Sequence, residues 1–320
     1  MEKKMRFLIA GISFILAISL LLPVTIASAS PEKANRPDKD KPVQAQDVHI
    51  VRKVSERPGP PIKPPGKDKP GKNDGAATGI LGTSVSGERY AIVIGISDYP
   101  GLDYDLNYCD DDAIDISNIL TNVYEFAPEN VTLLVDGDAT RSAILTAIED
   151  IPADADEVVF SFSGHGGYGE ASDTDDEIVD EFIVAHNGVD LMPIWDGELR
   201  LAFSGISVRA VFLFDSCNAG GMTDLAGKDR VICMAASETG LSYEYGTLQN
   251  GQFTYYFAEE GVLQGYADSY DHDSDGDVAK KRNPGEPDDV VIEEAFDYAN
   301  KKCKRQSPVI SDSFENDLLP

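Results

Sequence analysis

Two short stretches of this sequence carry side chains able to break an amide. Ser161-Phe-Ser-Gly-His-Gly-Gly sets His165 in a glycine-rich turn, and Phe214-Asp-Ser-Cys-Asn-Ala-Gly-Gly sets Cys217 in another. A thiol beside an imidazole is the pair needed for nucleophilic acyl transfer: the sulfur attacks a carbonyl, and the imidazole keeps it reactive or protonates the leaving amine. Flanking glycines let a carbonyl approach the backbone, whose N–H groups then stabilise the oxyanion. Taken singly, a histidine is more often a satisfied surface or core residue and a cysteine a small apolar filler. Here both follow apolar runs and end at equivalent places, and that coincidence points to catalysis.

The positioning elements are readable from the pattern. Tyr90-Ala-Ile-Val-Ile-Gly-Ile, Asn130-Val-Thr-Leu-Leu-Val, Glu157-Val-Val-Phe-Ser-Phe-Ser, Val208-Arg-Ala-Val-Phe-Leu-Phe-Asp and Val231-Ile-Cys-Met-Ala-Ala-Ser read as strands. Between them, Asp111 to Tyr124 has helical spacing at Ala113, Ile116, Ile119 and Leu120, and Thr140 caps a helix running through Ile148. Further helices fall near Trp195–Phe203, Phe253–Leu263 and Ile292–Lys302. Runs apolar on both faces require cover on both sides, so the expected fold class is α/β, a three-layer sandwich around a mostly parallel central sheet. In such sheets, sites form at the carboxyl ends of the strands.

Tyr90-Ala-Ile-Val-Ile-Gly-Ile, Ser163-Gly-His-Gly and Asp215-Ser-Cys-Asn-Ala-Gly, in that order and at those distances, resemble the caspase-like cysteine peptidases, and among them the metacaspase and paracaspase branch. The likeness covers roughly residues 86–315. It implies a caspase–hemoglobinase fold and a Cys217–His165 dyad that hydrolyses peptide bonds, with an oxyanion hole at the backbone N–H groups of Gly166 and Cys217.

The same resemblance implies a substrate pocket. Leu106-Asn-Tyr-Cys-Asp-Asp-Asp-Ala-Ile-Asp looks like the metacaspase segment that begins the first helix and lines the pocket for the residue before the scissile bond. Carried over position by position, Cys109, Asp112, Ser163 and Asp215 form it. Two carboxylates in a narrow slot favour Lys or Arg and reject Asp, so cleavage after basic residues is expected. At least one of Asp110, Asp111 and Asp112 is read instead as an acidic helix start favoured by the dipole.

Calcium is the expected cofactor, and no organic one is implied. Asp173-Thr-Asp-Asp-Glu-Ile-Val-Asp-Glu crowds carboxylates that must be solvated or bridged by a cation, and oxygen ligands mean Ca²⁺ first. The metacaspase pattern for an activating calcium maps onto Asp180, Asp196 and Asp224. The paired Asp expected beside Asp196 is Gly197 here, with Glu198 as a compensating acid. A second cluster, Asp271-His-Asp-Ser-Asp-Gly-Asp, has EF-hand spacing, with Asp271, Asp273, Asp275 and Asp277 at alternate positions and Gly276 at the turn. The usual closing Glu position holds Arg282, so an insertion is read over 280–289 and Glu294 becomes the closing ligand of a loop at 271–294.

Composition frames these sites. With 27 Lys+Arg against 56 Asp+Glu, the net charge is −29, which excludes general affinity for nucleic acid or anionic lipid. Residues 31–79 hold 11 basic and 7 acidic side chains, whereas residues 80–320 hold 13 and 48, so the acid belongs to the folded part. Residues 1–29 read as an export signal closing at Ala27-Ser28-Ala29, with an uncleaved membrane tether as the alternative, and the protein is expected to act outside the cytoplasm, secreted or cell-surface tethered. Residues 30–79 are a Pro/Lys-rich linker or pro-segment in which Val48-His-Ile-Val-Arg is the one piece suited to a strand. Residues 80–320 are the peptidase domain, expected to be a monomer.

Two disulfides would be the ordinary use of four cysteines in an exported chain, but the apolar setting of Cys233 marks it as a core thiol. Self-processing has basic sites to use at Arg57, Lys72, Lys228 and Arg230. The rival to an endopeptidase is a catalytically silent, secreted calcium-binding module on the same scaffold. A third reading, an amide hydrolase acting on something other than peptides, uses the same dyad.

Overall fold

The computed structural model describes residues 46–56, 87–170, 179–267 and 290–313. Two short strands, β1 (Gln46–Val51) and β2 (Val54–Glu56), come first, and then the α/β alternation begins with β3 (Arg89–Gly95), α1 (Cys109–Asn122), β4 (Val131–Val135), α2 (Arg141–Glu149) and β5 (Glu157–Ser163). A meander follows as β6 (Gly166–Glu170), β7 (Asp180–His186) and β8 (Leu191–Trp195), leading into α3 (Asp196–Ala202), β9 (Arg209–Asp215) and β10 (Arg230–Met234). The rest comprises β11 (Tyr243–Tyr245), β12 (Asn250–Gly251), α4 (Gln252–Thr254) continued by a π-helix (Tyr255–Leu263), α5 (Ile292–Lys302) and β13 (Val309–Asp312).

The six-stranded central sheet has the order β13-β10-β9-β5-β3-β4 and is parallel except for the β13 edge. Its strands alternate between two cores. Ile92, Ile94, Phe160, Phe162, Phe212 and Phe214 pack against Ile144, Leu145 and Ile148 of α2 and Leu199 of α3. Ala91, Val93, Val159, Val211 and Val231 face Ile116 and Leu120 of α1, Phe257 of the π-helix and Phe296 of α5. Both faces are therefore buried, as continuous apolar runs demand, and the three-layer expectation holds. Thr140 caps α2 as expected, its Oγ1 accepting the Ala143 N–H at 3.2 Å.

Register turns this sheet into a site. Gly95 pairs with Ser163, and Ser163 with Asp215, so β3, β5 and β9 end level. His165 and Cys217 each lie two residues beyond those level ends. α1 passes close over Gly95, since a Cβ there would stand 2.0 Å from the Cys109 carbonyl oxygen.

Two features depart from the sequence expectation. The meander strands join β1 in a four-stranded antiparallel sheet, β1-β6-β7-β8, that was not anticipated. Their sequences are glycine-rich (β6) or acid-flanked (β7), which masks a strand pattern. Residues 46–56, assigned by composition to the linker, form strands against the domain; Val48-His-Ile-Val lies in β1, as its pattern suggested. The loop at 271–289, with Asp271, Asp273, Asp275 and Asp277, and the acids from Asp173 to Glu177 lie outside the described residues, as do Arg57, Lys72 and the leader.

Candidate active site

His165 leaves β5 in a turn that fixes its ring from three sides. Its backbone N–H donates to the Tyr99 hydroxyl at 3.0 Å, and the Tyr99 ring lies 4.9 Å from the imidazole. Nε2 stands 2.7 Å from the Tyr104 carbonyl oxygen, while Nδ1 is 3.0 Å from the backbone nitrogen of Lys53. A carbonyl only accepts and an amide N–H only donates, so the ring is the neutral tautomer with its proton on Nε2. Burial pushes its pKa down to about 4 against the help of the Tyr104 carbonyl, and the Lys53 and Arg52 charges lower it further.

Cys217 follows β9 in the matching position and is 1% exposed. The next residue, Asn218, has a left-handed φ of 57°, which makes the sharp turn that presents the sulfur. Sγ accepts the Ser242 N–H at 3.2 Å and reaches the Arg52 carbonyl oxygen at 3.3 Å. Burial pushes the thiol up to about 11, with the Ser242 N–H and Lys53 opposing and Asp215 reinforcing. The backbone of Gly166 lies against this turn, and a Cβ there would stand 2.0 Å from the Cys217 carbonyl oxygen, so the close approach requires glycine.

Beside the pair is an acidic slot. Asp112 from α1, Ser163 at the end of β5 and Asp215 at the end of β9 converge on the ammonium of Lys53. Its Nζ is 2.9 Å from Asp215 Oδ1, 3.0 Å from Ser163 Oγ, 3.2 Å from the Asp215 carbonyl and 3.3 Å from Asp112 Oδ2. Cys109 lines the same slot, where its buried thiol is pushed well up by desolvation and feels the Lys53 charge and the Ser163 hydroxyl. The four residues expected to form the pocket are thus together. Burial alone would lower the Lys53 pKa, but the surrounding acids, Asp215 first, hold it well above normal. Two carboxylates share one ammonium, and Asp112 is pushed up to about 7, by burial first and by Asp215, with Lys53 opposing.

Each wall of the slot is braced. Asp215 accepts from Ser242 Oγ at 2.5 Å and from the Thr254 hydroxyl at 2.8 Å; Asp112 accepts from Ser163 Oγ at 2.6 Å and the Gly251 N–H at 2.7 Å. Buried Glu244 accepts the Asn107 N–H at 3.0 Å and the Tyr108 N–H at 3.2 Å, which holds the turn before α1. Asp110 takes the Ser97 hydroxyl at 2.6 Å, and Asp111 stays at the helix start, so only Asp112 of the three enters the slot. Sequence reasoning missed Arg52, Lys53, Tyr99, Tyr104 and Ser242. Its one available signal was a basic pair directly after an alternating apolar segment.

The acids expected to hold calcium divide. Asp180 and Asp196 are buried, and Asp196 is pushed up to about 9 by burial, against the Gly197 N–H, with Asp224, Asp180 and Glu181 adding repulsion. These acids are therefore neighbours, and Asp196 Oδ2 is buried without a hydrogen-bond partner. Asp224 pairs with Arg200 at 3.1 Å, and Glu198 binds buried Arg141 at 2.5 Å instead of joining the cluster. Among the described residues, no three acids, histidines or cysteines are arranged as a metal cage. Glu294 lies in the first turn of α5, where its Oε2 accepts the Val291 N–H at 3.2 Å.

All four cysteines are free, and Cys233 is a buried core thiol. Lys228 is exposed, whereas Arg230 is held by the carbonyls of Leu225, Phe203 and Ile206.

A caspase domain family model matches residues 88–313, so the chain belongs to the caspase domain family, a family of cysteine-type peptidases. Within it the similarity runs to metacaspases. Metacaspase-1 of Saccharomyces cerevisiae is 33% identical over 153 residues, covering 44% of this chain and 35% of that protein. Metacaspase-4 of Arabidopsis thaliana is 33% identical over 150 residues, covering 43% and 35%. The chain thus spans about a third of the length of these relatives. A solved protein from Geobacter sulfurreducens shares the fold at a TM-score of 0.51 and 19% identity, over 72% of this chain and 95% of its own. The architecture is the caspase–hemoglobinase-like α/β sandwich.

Proposed function

We propose that this chain is an endopeptidase that cleaves after Lys or Arg through Cys217 and His165, with calcium as a structural or activating ion, acting outside the cytoplasm. The observation that carries the reading is a lysine ammonium seated between Asp112, Ser163 and Asp215, beside a thiol and an imidazole that bracket one peptide group. A slot with two carboxylates selects a cation by charge-assisted hydrogen bonds and repels an acidic side chain.

In the reaction, the thiol gives its proton to His165 Nδ1 and the sulfur bonds to the carbonyl carbon of the residue in the slot. The oxyanion is held by the N–H groups of Gly166 and Cys217. The C–N bond breaks as the imidazolium returns its proton to the leaving amine; water, deprotonated by the same imidazole, then releases the acid and frees the sulfur.

The crowding of acids around Asp196, one buried oxygen of which has no hydrogen-bond partner, supports a hard cation there by charge, although among the described residues they are not arranged as a cage. Asp180, Asp196 and Asp224 would hold it, and the ion would screen their repulsion. Export rests on the leader sequence. The test is a positional peptide library assayed with and without calcium: turnover only of Lys and Arg peptides is expected, and indifference to the residue before the scissile bond overturns the specificity.

A further inference from the structure

Resting on that reading, we infer that residues 51–54 are a built-in inhibitor, a strap that fills the substrate cleft with its chain running opposite to a substrate. Lys53 is the anchor, its side chain fully buried in the acidic slot. On one side β1 runs antiparallel to β6, with Val51 opposite Gly166; on the other β2 runs parallel to β11, and the Val54 N–H donates to the Ser242 carbonyl at 2.9 Å. Arg52 lies outside the slot, with its guanidinium 4.6 Å over the Tyr104 ring.

The polarity follows from which peptide group meets the dyad. A substrate held by its basic side chain must offer the carbonyl of that same residue to the sulfur. Here Lys53 fills the slot, yet the carbonyl at Sγ belongs to Arg52 and the N–H at Nδ1 is that of Lys53 itself. The bond beside the dyad is therefore the one before the slot residue. To put the bond after it in the same place, a chain must enter along β11 and leave along β6, the reverse of the strap.

The strap also leaves the dyad chemically idle. Nδ1, the nitrogen needed to take the thiol proton, already accepts the Lys53 N–H, and the Nε2 proton is spent on Tyr104. No proton is placed to leave with the Lys53 amine, so the strap fills the slot with a basic side chain on a reversed backbone and is not cut there.

The test uses the full chain and two variants, Lys53→Ala and Val54→Pro. The second removes the N–H bound to Ser242 and leaves every slot residue in place, which covers the case that emptying the slot harms folding. The readouts are the iodoacetamide alkylation rate of Cys217, by peptide mapping, and hydrolysis of Lys reporter peptides. If the strap is closed nine-tenths of the time or more, both rates rise about tenfold or more on release. A synthetic peptide of residues 46–56 should restore the block in the Val54→Pro chain and be recovered intact. Unchanged alkylation in both variants overturns the strap, and cleavage of the peptide after Lys53 overturns its polarity. Faster alkylation without hydrolysis of any peptide overturns the peptidase reading and leaves the strap standing.

Discussion

His165 and Cys217 touch opposite ends of a single peptide group: Nδ1 takes the Lys53 N–H at 3.0 Å, and Sγ reaches the Arg52 oxygen at 3.3 Å. That arrangement supports the proposed roles, attack by the sulfur and proton transfer by the imidazole. In a strap-released chain, Cys217→Ala should abolish hydrolysis of Lys and Arg reporters, and His165→Ala should cost about 10²–10⁴-fold in rate, the range of a lost general acid–base. Circular dichroism should be unchanged in both. Turnover that survives Cys217→Ala would dismiss the mechanism.

The protonation states give a pH signature. With the strap seated, burial holds the thiol up to about 11 and the imidazole down to about 4, so both are neutral near pH 7. Alkylation of Cys217 in the intact chain should keep climbing with pH toward that upper value, following the thiolate fraction. In Val54→Pro, water reaches the pair, and the relief of burial raises the imidazole pKa and lowers the thiol pKa; the departing Lys53 charge adds to the imidazole's rise and offsets part of the thiol's fall. The alkylation profile should then level off near neutrality. A neutral plateau in the unaltered chain would contradict the closed state.

Asp112 is the slot acid best suited to substitution, because Asn keeps its size, its Oδ1 can still accept the Gly251 N–H, and its Nδ2 can donate to Ser163 Oγ in place of the bond that Asp112 accepts. Asp112→Asn must be measured in the Val54→Pro background, since the same slot also holds Lys53 and weakening it releases the strap. Losing a charged hydrogen bond costs about 1.5–3 kcal/mol, so kcat/KM for a Lys reporter should fall roughly 10–100-fold, mostly through KM. The iodoacetamide alkylation rate of Cys217 should be unaffected. A matching loss in alkylation would reveal a collapsed site instead of a lost specificity contact.

How much of this could be read in advance depended on locality. His165 and Cys217 were legible because each sits two residues past an apolar strand, and Ser163 pairs with Asp215 across level strand ends. The helices announced themselves through spacing, as Ile116, Ile119 and Leu120 do in α1. Lys53 was not legible as a slot occupant: its partners are contacts over 59 to 162 residues of chain, and its setting is a Pro- and Lys-rich segment without a core. The β6–β8 meander hid for a related reason, since Gly166, Gly167 and Gly169 carry no side-chain pattern, and the buried acids Asp180 and Glu181 give a charged opening to a strand that is otherwise apolar.

Calcium should act on stability before chemistry, because the crowded acids repel one another in the folded state. Adding Ca²⁺ to chelator-treated protein should raise the melting temperature, by RT ln(1 + [L]/Kd) in free energy, about 2.7 kcal/mol at a hundredfold excess over Kd. Asp196→Asn should blunt that rise and also lessen the repulsion that calcium relieves. Calorimetric titration gives the stoichiometry. A melting temperature indifferent to both calcium and chelator would remove the ion from the account.

Glu157 provides a test of the fold apart from the site. It opens β5, 1% exposed, with neither carboxylate oxygen hydrogen-bonded, and burial pushes it up to about 7 from an ordinary 4.5 although Arg89 and Arg209 oppose the shift. The folded chain therefore holds this proton more tightly than the unfolded one. The associated stability is complete below about pH 4.5 and is lost as pH rises through about 7. Glu157→Gln keeps the shape without a charge to desolvate. Its melting temperature relative to the unaltered protein should climb between pH 4.5 and pH 7 and level off above. The plateau should amount to roughly 1–3 kcal/mol, or about 2–4 °C for each kcal/mol in a domain of this size. A difference that stays flat across that window would mean the two arginines neutralise the carboxylate fully and burial costs it nothing.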